Sequence, residues 1–299
     1  MTDIVLPTPL RERVIAVFGE EGAAWAEEFP VRTREAASRW RLEIERPFPD
    51  LSYNFVAAAR REGRPVVLKL GVPSPELRSE IATLRLFDGD GTVRLLDADP
   101  DQGILLLERL DPGMPLAHLE DDERAITIAA QTMVRLWRRP PDTHTLRSVD
   151  DWTDGLARHQ RRFVAGTGPI PQDLLTRATL LLEELCESAG EPMLLHADLH
   201  QRNILSSDER GWTAIDAKGA VGDPGFEVGP VIRHRWSDCA DPAARLDCRV
   251  RRIASETGLG EDRVLRWAFT HTVLSTCWSV EDQQPWQDDV ACAQLLART

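Results

Sequence analysis

The stretch that decides the fold is His196-Ala197-Asp198-Leu199-His200-Gln201-Arg202-Asn203, followed by Ile215-Asp216-Ala217-Lys218-Gly219. Asn203 lies five positions after Asp198, and Asp216 lies thirteen positions after Asn203. Carboxylate and amide oxygens are the ligands that Mg²⁺ prefers, and a further carboxylate suits work on a hydroxyl proton. The spacing therefore predicts one catalytic carboxylate beside a site for magnesium.

Phosphoryl transfer from ATP to a hydroxyl needs this set of groups. Asp198 follows the apolar stretch MLL (193–195), so we expect it in a loop after a short strand. An alcohol loses its proton late, and positioning the hydroxyl is the main service that Asp198 can give. Asn203 and Asp216 are predicted to hold Mg²⁺ against the phosphates of ATP.

The segments LHADLHQRNIL (195–205) and AIDAKGAVGDPGFE (214–227) resemble the aminoglycoside phosphotransferase superfamily, which has a protein-kinase-like fold. Within it they are most similar to the aminoglycoside/hydroxyurea resistance kinase family, which includes streptomycin 6-kinases. The resemblance implies an α+β, bilobal fold with a small β-rich N-terminal lobe and a larger, mainly helical C-terminal lobe. It also implies ATP and Mg²⁺ as cofactors and an aminoglycoside such as streptomycin as the acceptor.

Three other side chains of the loop are candidates for roles in the site. The resemblance assigns His196 to anchoring the loop by hydrogen bonds. His200 and Arg202 are predicted to approach the transferred phosphate, where a guanidinium would offset negative charge; a surface position for Arg202 fits the sequence equally well. A zinc site built on His196 and His200 is disfavoured, because the stretch offers no clear third ligand.

Lys69 ends a predicted strand, where a buried lysine needs a partner. The resemblance assigns it to the α- and β-phosphates of ATP and pairs it with a glutamate on the next helix. Glu80 is the best placed, whereas Glu76 lies in the first helical turn, where acids are common for dipole reasons. Ser74 is predicted to cap this helix.

The other candidates for the nucleotide site are in the loop between the first two strands and at the end of the sheet. No G-x-G-x-x-G separates the first two strands; the chain reads PDLSYNF (49–55) instead. Ser52 and Asn54 are the candidates for facing phosphate there, and a plain hairpin connection is the alternative. By analogy alone, the backbone of Glu108 and Leu110 would contact adenine.

Acidic and aromatic residues near the C-terminus are predicted to bind a cationic acceptor. They are Trp278, Glu281 and Asp282, where the resemblance continues, and Glu227 is expected to face the same substrate. An exposed helix end with a packed tryptophan is the alternative. Asp223 fits a turn-and-cap residue, and Lys218 could meet phosphate or point to solvent.

The order of elements divides the chain into two predicted domains. Residues 1–110 read as a leading helix (9–40) and a nucleotide-binding sheet with strands at 41–45, 55–60, 65–70, 93–98 and 103–109, a turn at 47–52 and a helix at 75–87. Residues 111–299 read as the helical domain with catalytic, metal and substrate sites. Its helices are predicted at 121–138, 150–164, 172–189, 242–257 and 261–280, with strands at 204–205 and 212–215.

The composition limits the kinds of binding partner and the cellular compartment that we expect. A net charge of −13 disfavours nucleic acid and anionic membrane as partners and suits a cationic small molecule. A role of the charge in solubility alone is the alternative. No signal peptide is visible at Met1-Thr2-Asp3-Ile4, and the five cysteines lack metal-type spacing, so we expect a cytoplasmic protein with reduced thiols. We expect a monomer or a weak homodimer.

Two other functions stay open from the sequence. One is a kinase of another small molecule: a sugar, a metabolite alcohol, hydroxyurea or a peptide antibiotic. The other is a non-catalytic nucleotide-binding regulator, which the joint presence of Asp198, Asn203, Asp216 and Lys69 disfavours.

Overall fold

The structure is a computed structural model that describes residues 4–49, 51–163 and 168–298. The chain divides into two compact units, Met1–Gly113 and Met114–Thr299. Three parts of the predictions lie outside the described residues: the N-terminal Met1–Asp3, Asp50 in the predicted turn, and Val164 at the end of a predicted helix.

The first unit is a long helix followed by an antiparallel sheet and one more helix. Its sheet has the strand order β1-β2-β3-β5-β4. The elements are α1 (Thr8–Trp40), β1 (Leu42–Pro47), β2 (Phe55–Arg61), β3 (Arg64–Leu70), α2 (Pro75–Phe87), β4 (Leu95–Asp99) and β5 (Ile104–Glu108).

Packing of α1 on the sheet builds the core of this unit. The α1 helix bends at Gly19, whose φ of 58° lies in the left-handed region that glycine adopts without strain. Beyond the bend, the ring of Phe29 packs edge-on against Phe55 of β2, with centroids 4.9 Å apart. Lys69 is near the end of β3, paired in register with Val56 of β2 and Leu105 of β5, so the sheet fixes its backbone on both sides.

The second unit is mainly helical and contains short strands that carry the motif. The strand β6 (Pro112–Pro115) leads into it. Its helices are α3 (Asp122–Leu136), α4 (Val149–Arg162), α5 (Gln172–Glu187), α6 (Val228–Arg233), α7 (Pro242–Thr257), α8 (Glu261–Glu281) and α9 (Gln287–Leu296). Its strands are β7 (Met193–Leu195), β8 (Ile204–Ser207), β9 (Thr213–Ala214) and β10 (Ala220–Gly222).

Short strand pairs bracket the motif, and α8 supports it. The β7 and β10 strands pair antiparallel, as do β8 and β9. The segment between β7 and β8 and the segment between β9 and β10 are therefore held at both ends. The α8 helix is buried along most of its length and packs on α4, α5, α6 and α9.

Most predicted elements are present, and the differences are at short ones. The predicted turn at 47–52 begins one residue late, because Pro47 still belongs to β1 and pairs with Ala57. The six-residue α6 and the ten-residue α9 were not predicted. Within the described residues, no helix is both long and apolar enough to cross a bilayer.

Candidate active site

His196 fixes the loop that follows β7. Its side chain is fully buried, and Nε2 lies 2.8 Å from the carbonyl oxygen of Ile215. The backbone N–H of Asp198 donates to Nδ1 at 3.3 Å, so Nε2 carries the proton and donates to Ile215. Burial lowers the pKa of His196 to about 4, which keeps the ring neutral. The predicted anchoring by hydrogen bonds is confirmed.

Asn203 and Asp216 lie on neighbouring segments tied together by the backbone. The N–H of Ile215 donates to the carbonyl of Asn203 at 2.9 Å, and Asp216 follows with a φ of 62°. The side-chain nitrogen of Asn203 donates to the carbonyl of Asp198 at 3.0 Å. The amide nitrogen is thus used within the loop, and the amide oxygen is the atom suited to a cation.

The donor set fits a hard cation that keeps phosphate and water ligands. Magnesium is commonly bound through one or two protein oxygens plus substrate phosphates, which is what Asn203 and Asp216 supply. Over residues 4–49, 51–163 and 168–298, no three His, Cys, Asp or Glu side chains cluster as a metal site.

Asp198 is half-buried and contacts a cation from the adjacent segment. The Nζ of Lys218 lies 3.3 Å from Oδ2 of Asp198. Lys218, which the sequence left between phosphate and solvent, is therefore directed at the candidate catalytic carboxylate. The N–H of Gly219 donates to the carbonyl of His196 at 3.0 Å, which holds the two segments side by side.

Glu227 holds the loop by hydrogen bonds from a buried position, whereas the sequence predicted that it faces substrate. Its side chain is 1% exposed. Oε1 accepts the N–H of Ala197 at 2.7 Å, and Oε2 accepts Nε1–H of Trp137 at 3.1 Å. Burial raises its pKa to about 7. Oε1 thus holds Ala197, whose φ of 67° is unusual for a residue with a Cβ, while the bond from Trp137 fixes Oε2.

Asp223 has the predicted turn-and-cap role. Its Oδ1 accepts the N–H of Gly225 at 2.7 Å, which starts the short turn that leads to α6. Its Oδ2 forms an ion pair with Arg263 of α8. The carboxylate thus ties the segment after β10 to the central helix.

His200 and Arg202 contact each other through the backbone, and His200 also contacts His234. The ring of His200 accepts the N–H of Arg202 at 3.2 Å and stacks on His234, with centroids 6.0 Å apart. The side chain of Arg202 is exposed, and its charge contributes to lowering the pKa of His234. Within the described residues the Arg202 guanidinium forms no ion pair with Asp198.

In the first unit, Lys69 has the partner expected from the sequence. Its Nζ lies 2.7 Å from both Oε1 and Oε2 of Glu80, and the two side chains are 6% and 8% exposed. Glu76 is exposed in the first turn of α2, and Ser74 caps this helix by accepting the N–H of Leu77 at 3.2 Å. The ion pair is charge-assisted and almost fully buried.

The β1–β2 loop is tethered by α1 rather than by glycines. Arg13 of α1 donates to the carbonyl of Ser52 at 3.1 Å and also to that of Leu51. Asn54 lies against Gly71, where a Cβ would be 2.0 Å from Oδ1 of Asn54. Ser52 is exposed and Asn54 is half-buried, so both remain candidates for facing phosphate.

At the end of the sheet, the two candidates for adenine contact differ in whether their backbone N–H is already bonded. The N–H of Glu108 donates to the carbonyl of Arg94 at 3.0 Å, so Glu108 has no amide donor to offer. Leu110 follows β5 as a buried residue. A donor to adenine from this pair would therefore be the amide of Leu110.

The predicted acceptor-binding residues surround the end of α8. Glu281 is bound through both oxygens by Arg158 of α4 at 3.1 Å, so a cationic substrate would have to displace an arginine. The Trp278 indole packs edge-on against Trp152, with centroids 5.8 Å apart. Asp282 is exposed as a residue, and partial desolvation of its carboxylate together with the nearby charge of Glu281 raises its pKa. Asp282 is the more accessible of the two acids.

Comparison with solved structures gives the class of fold to which this architecture belongs. A thermostable mutant of aminoglycoside phosphotransferase APH(4)-Ia, solved as a ternary complex with ADP and hygromycin B, matches with a TM-score of 0.62. The match covers 89% of this chain and 96% of that chain at 16% sequence identity. The fold is therefore that of the protein-kinase-like phosphotransferases, as predicted.

Sequence comparisons give the family. A profile of the aminoglycoside/hydroxyurea antibiotic resistance kinases matches residues 39–283. Streptomycin 6-kinase of Streptomyces glaucescens is 34% identical over 286 residues, which cover 93% of this chain and 92% of the relative. Hydroxyurea phosphotransferase of Kitasatospora aureofaciens is 32% identical over 302 residues, covering 98% and 86%. The chain belongs to this family and is a small-molecule phosphotransferase with an alcohol group as acceptor.

Proposed function

We propose that this enzyme transfers the γ-phosphoryl group of ATP, with Mg²⁺, to a hydroxyl of an aminoglycoside such as streptomycin. The observation that carries the proposal is the single hydrogen-bonded motif in which Asp198, Asn203 and Asp216 are held together. Membership of the family and the name of the Streptomyces glaucescens relative support the choice of acceptor.

Asp198 is the residue that acts on the acceptor. Lys218 engages Oδ2, so Oδ1 is the oxygen that we assign to the acceptor hydroxyl. A half-buried carboxylate on a loop pinned by His196 and Glu227 keeps its position while a substrate binds. Such fixed placement of a hydroxyl for in-line attack supplies much of the rate enhancement in phosphoryl transfer.

Asn203 and Asp216 are the residues that would hold magnesium. The metal, when bound, supplies positive charge that neutralises the phosphate oxygens and orients them. The chain's own contribution is to keep an amide oxygen and a carboxylate next to the loop of Asp198. It does so through the bond from the Asn203 side chain to the Asp198 carbonyl and the bond from Ile215 to Asn203.

In the first unit, Lys69 binds the nucleotide phosphates and Glu80 orients it. The pair is buried in the sheet–helix layer, where desolvation strengthens a charge-assisted bond. Ser52 and Asn54 are proposed as further phosphate contacts, and the backbone of Glu108 and Leu110 as contacts of the adenine. We place the reaction in the cytoplasm, where ATP is available.

The acceptor is proposed to be cationic. Asp282 offers an exposed carboxylate at the end of α8, with Glu281 and the indole of Trp278 nearby in the chain. The chain's net charge of −13 would raise the local concentration of a polycation. A neutral acceptor gains nothing from these features, which is why hydroxyurea is the second choice despite the family name.

An acceptor panel tests the proposal. Purified enzyme with Mg-ATP is incubated with streptomycin, hygromycin B, hydroxyurea, choline and an amino sugar, and products are identified by mass spectrometry. We expect one phosphoryl group on streptomycin, with kcat/KM at least about tenfold above that for hydroxyurea, a discrimination of about 1.4 kcal/mol. Phosphorylation of hydroxyurea alone would contradict the acceptor assignment, and ATP consumption without any phosphorylated product would contradict the transferase.

A further inference from the structure

The composition of the chain singles out one more residue. Of its 36 basic residues, two are lysines, Lys69 and Lys218, and all the others are arginines. An ammonium is a compact, rotatable point charge, whereas a guanidinium is a planar fork, so the two do not substitute freely in a site. Lys69 is in the buried pair with Glu80, and Lys218 is two positions after Asp216.

Lys218 lies among the charged and titratable groups of the catalytic loop and α8. Its Nζ is 3.3 Å from Oδ2 of Asp198. Its charge opposes the rise in the pKa of Asp282 and contributes to lowering the pKa values of His200 and His271. The ammonium is therefore within electrostatic reach of His200 in the loop and of groups at α8.

The pair with Asp198 gives the fold little stability. The side chains of Lys218 and Asp198 are 48% and 27% exposed, and ion pairs of that exposure contribute little because solvent screens them. The backbone of the segment is already held by the bond from Gly219 to His196 and by the pairing of β10 with β7. The charge is placed where it acts on Asp198 rather than where it stabilises packing.

The chemistry supplies a reason. During transfer, the anionic phosphoryl group and the anionic carboxylate of Asp198 approach the same hydroxyl from opposite sides, and like charges at such distances repel. A cation beside the carboxylate offsets that repulsion. Arg202, the other cation of the loop, is exposed and forms no ion pair with Asp198 in the described part of the chain.

We propose that Lys218 is a positioning residue of the phosphoryl transfer: it holds Asp198 through Oδ2 and supplies positive charge beside it. The inference rests on the proposed function. In the step itself, a lone pair of the acceptor oxygen forms the new O–P bond to the γ-phosphorus, and the bond to the β,γ-bridging oxygen breaks with its electron pair, releasing ADP. The hydroxyl proton passes to Oδ1 of Asp198, and Lys218 keeps its protons throughout.

Three variants test the proposal: Lys218→Ala, Lys218→Arg and the matched control Arg252→Ala. Arg252 is a cation of the same unit, 39% exposed and 3.5 Å from Glu123. For Lys218→Ala we expect kcat to fall by about 10²-fold. The KM for ATP and the midpoint of thermal unfolding should stay near those of wild type, and Lys218→Arg should recover part of the loss. The control should match wild type in all measurements.

Chemical rescue separates a missing charge from a disturbed structure. Methylammonium or ethylammonium added to Lys218→Ala should restore part of kcat saturably and leave wild type and Arg252→Ala unchanged. A kcat of Lys218→Ala within about twofold of the control, less than 0.5 kcal/mol, would overturn the inference, as would a loss without rescue by either amine. If wild type itself transfers no phosphate, the proposed function fails instead.

Discussion

At the scale of single residues, Glu227 explains how the catalytic loop tolerates its strained backbone. The carboxylate accepts the N–H of Ala197, and an Ala with positive φ is unfavourable unless its surroundings hold it. The free-energy cost of this arrangement is the burial of an acid. Burial raises the pKa of Glu227, and the charge of Asp198 in the loop raises it further. This residue makes stability depend on pH in a predictable direction.

The pKa of Glu227 is about 7 in the folded protein, against 4.5 for an ordinary glutamate. Between pH 4.5 and pH 7 the native state therefore binds more protons than the unfolded state. The stabilisation that comes from protonation of Glu227 is full below pH 4.5 and is lost as pH rises through 7. Between about pH 5 and pH 8, the free energy of unfolding of wild type should fall relative to Glu227→Gln, on the order of 3 kcal/mol. Urea unfolding of both proteins across this range measures it, and a difference that does not change with pH would refute the assignment.

At the scale of elements, α8 holds the second unit together through ion pairs of unequal burial. Arg263 pairs with Asp223, whose side chain is 4% exposed, whereas Arg266 pairs with Glu184, which is 61% exposed. Both arginines lie on the same helix within one turn. They form a matched pair for separating a structural contact from a surface one.

Replacing Arg263 by alanine should lower the free energy of unfolding by about 2 kcal/mol or more, because Asp223 would keep a buried charge without its partner. Replacing Arg266 by alanine should change it by less than about 0.5 kcal/mol, since solvent screens that pair. Equal effects in thermal or urea unfolding would show that Asp223 does not tie its segment to α8.

The sequence predicted the elements whose boundaries carry local signals. The α2 helix begins where Ser74 caps it and Pro75 fits the first turn, and Lys69 finds Glu80 because strand and helix follow each other directly. The missed elements lack such signals: α6 has six residues, and β10 has three and exists only because it pairs with β7, the short strand that its apolar sequence predicts.

The motif located the site residues in the sequence, but the directions in which their side chains point could not be predicted from it. Glu227 is close to the motif in sequence, yet its side chain is directed into the core, and only the packing of Trp137 reveals this. The sequence leaves Arg202 between the phosphate and a surface position, and Lys218 between phosphate and solvent. The distance from Lys218 to Asp198 depends on the bond from Gly219 to His196, which brings two separate segments together.

At the scale of the whole molecule, a net charge of −13 should steer a cationic acceptor. Raising the NaCl concentration from about 50 mM to about 500 mM shortens the range of these fields severalfold. The kcat/KM for streptomycin should then fall, while that for the neutral hydroxyurea should change little. Parallel behaviour of the two acceptors would show that charge does not select the substrate.

The measurement that tests the central claim most directly compares wild type with Asp198→Asn in phosphoryl transfer from Mg-ATP to streptomycin. Asparagine keeps the size of the side chain but cannot take a proton, so kcat should fall by about 10²- to 10⁴-fold. ATP should still raise the unfolding temperature of the variant as it does that of wild type. Transfer by Asp198→Asn at the wild-type rate, with ATP bound equally well, would contradict the account.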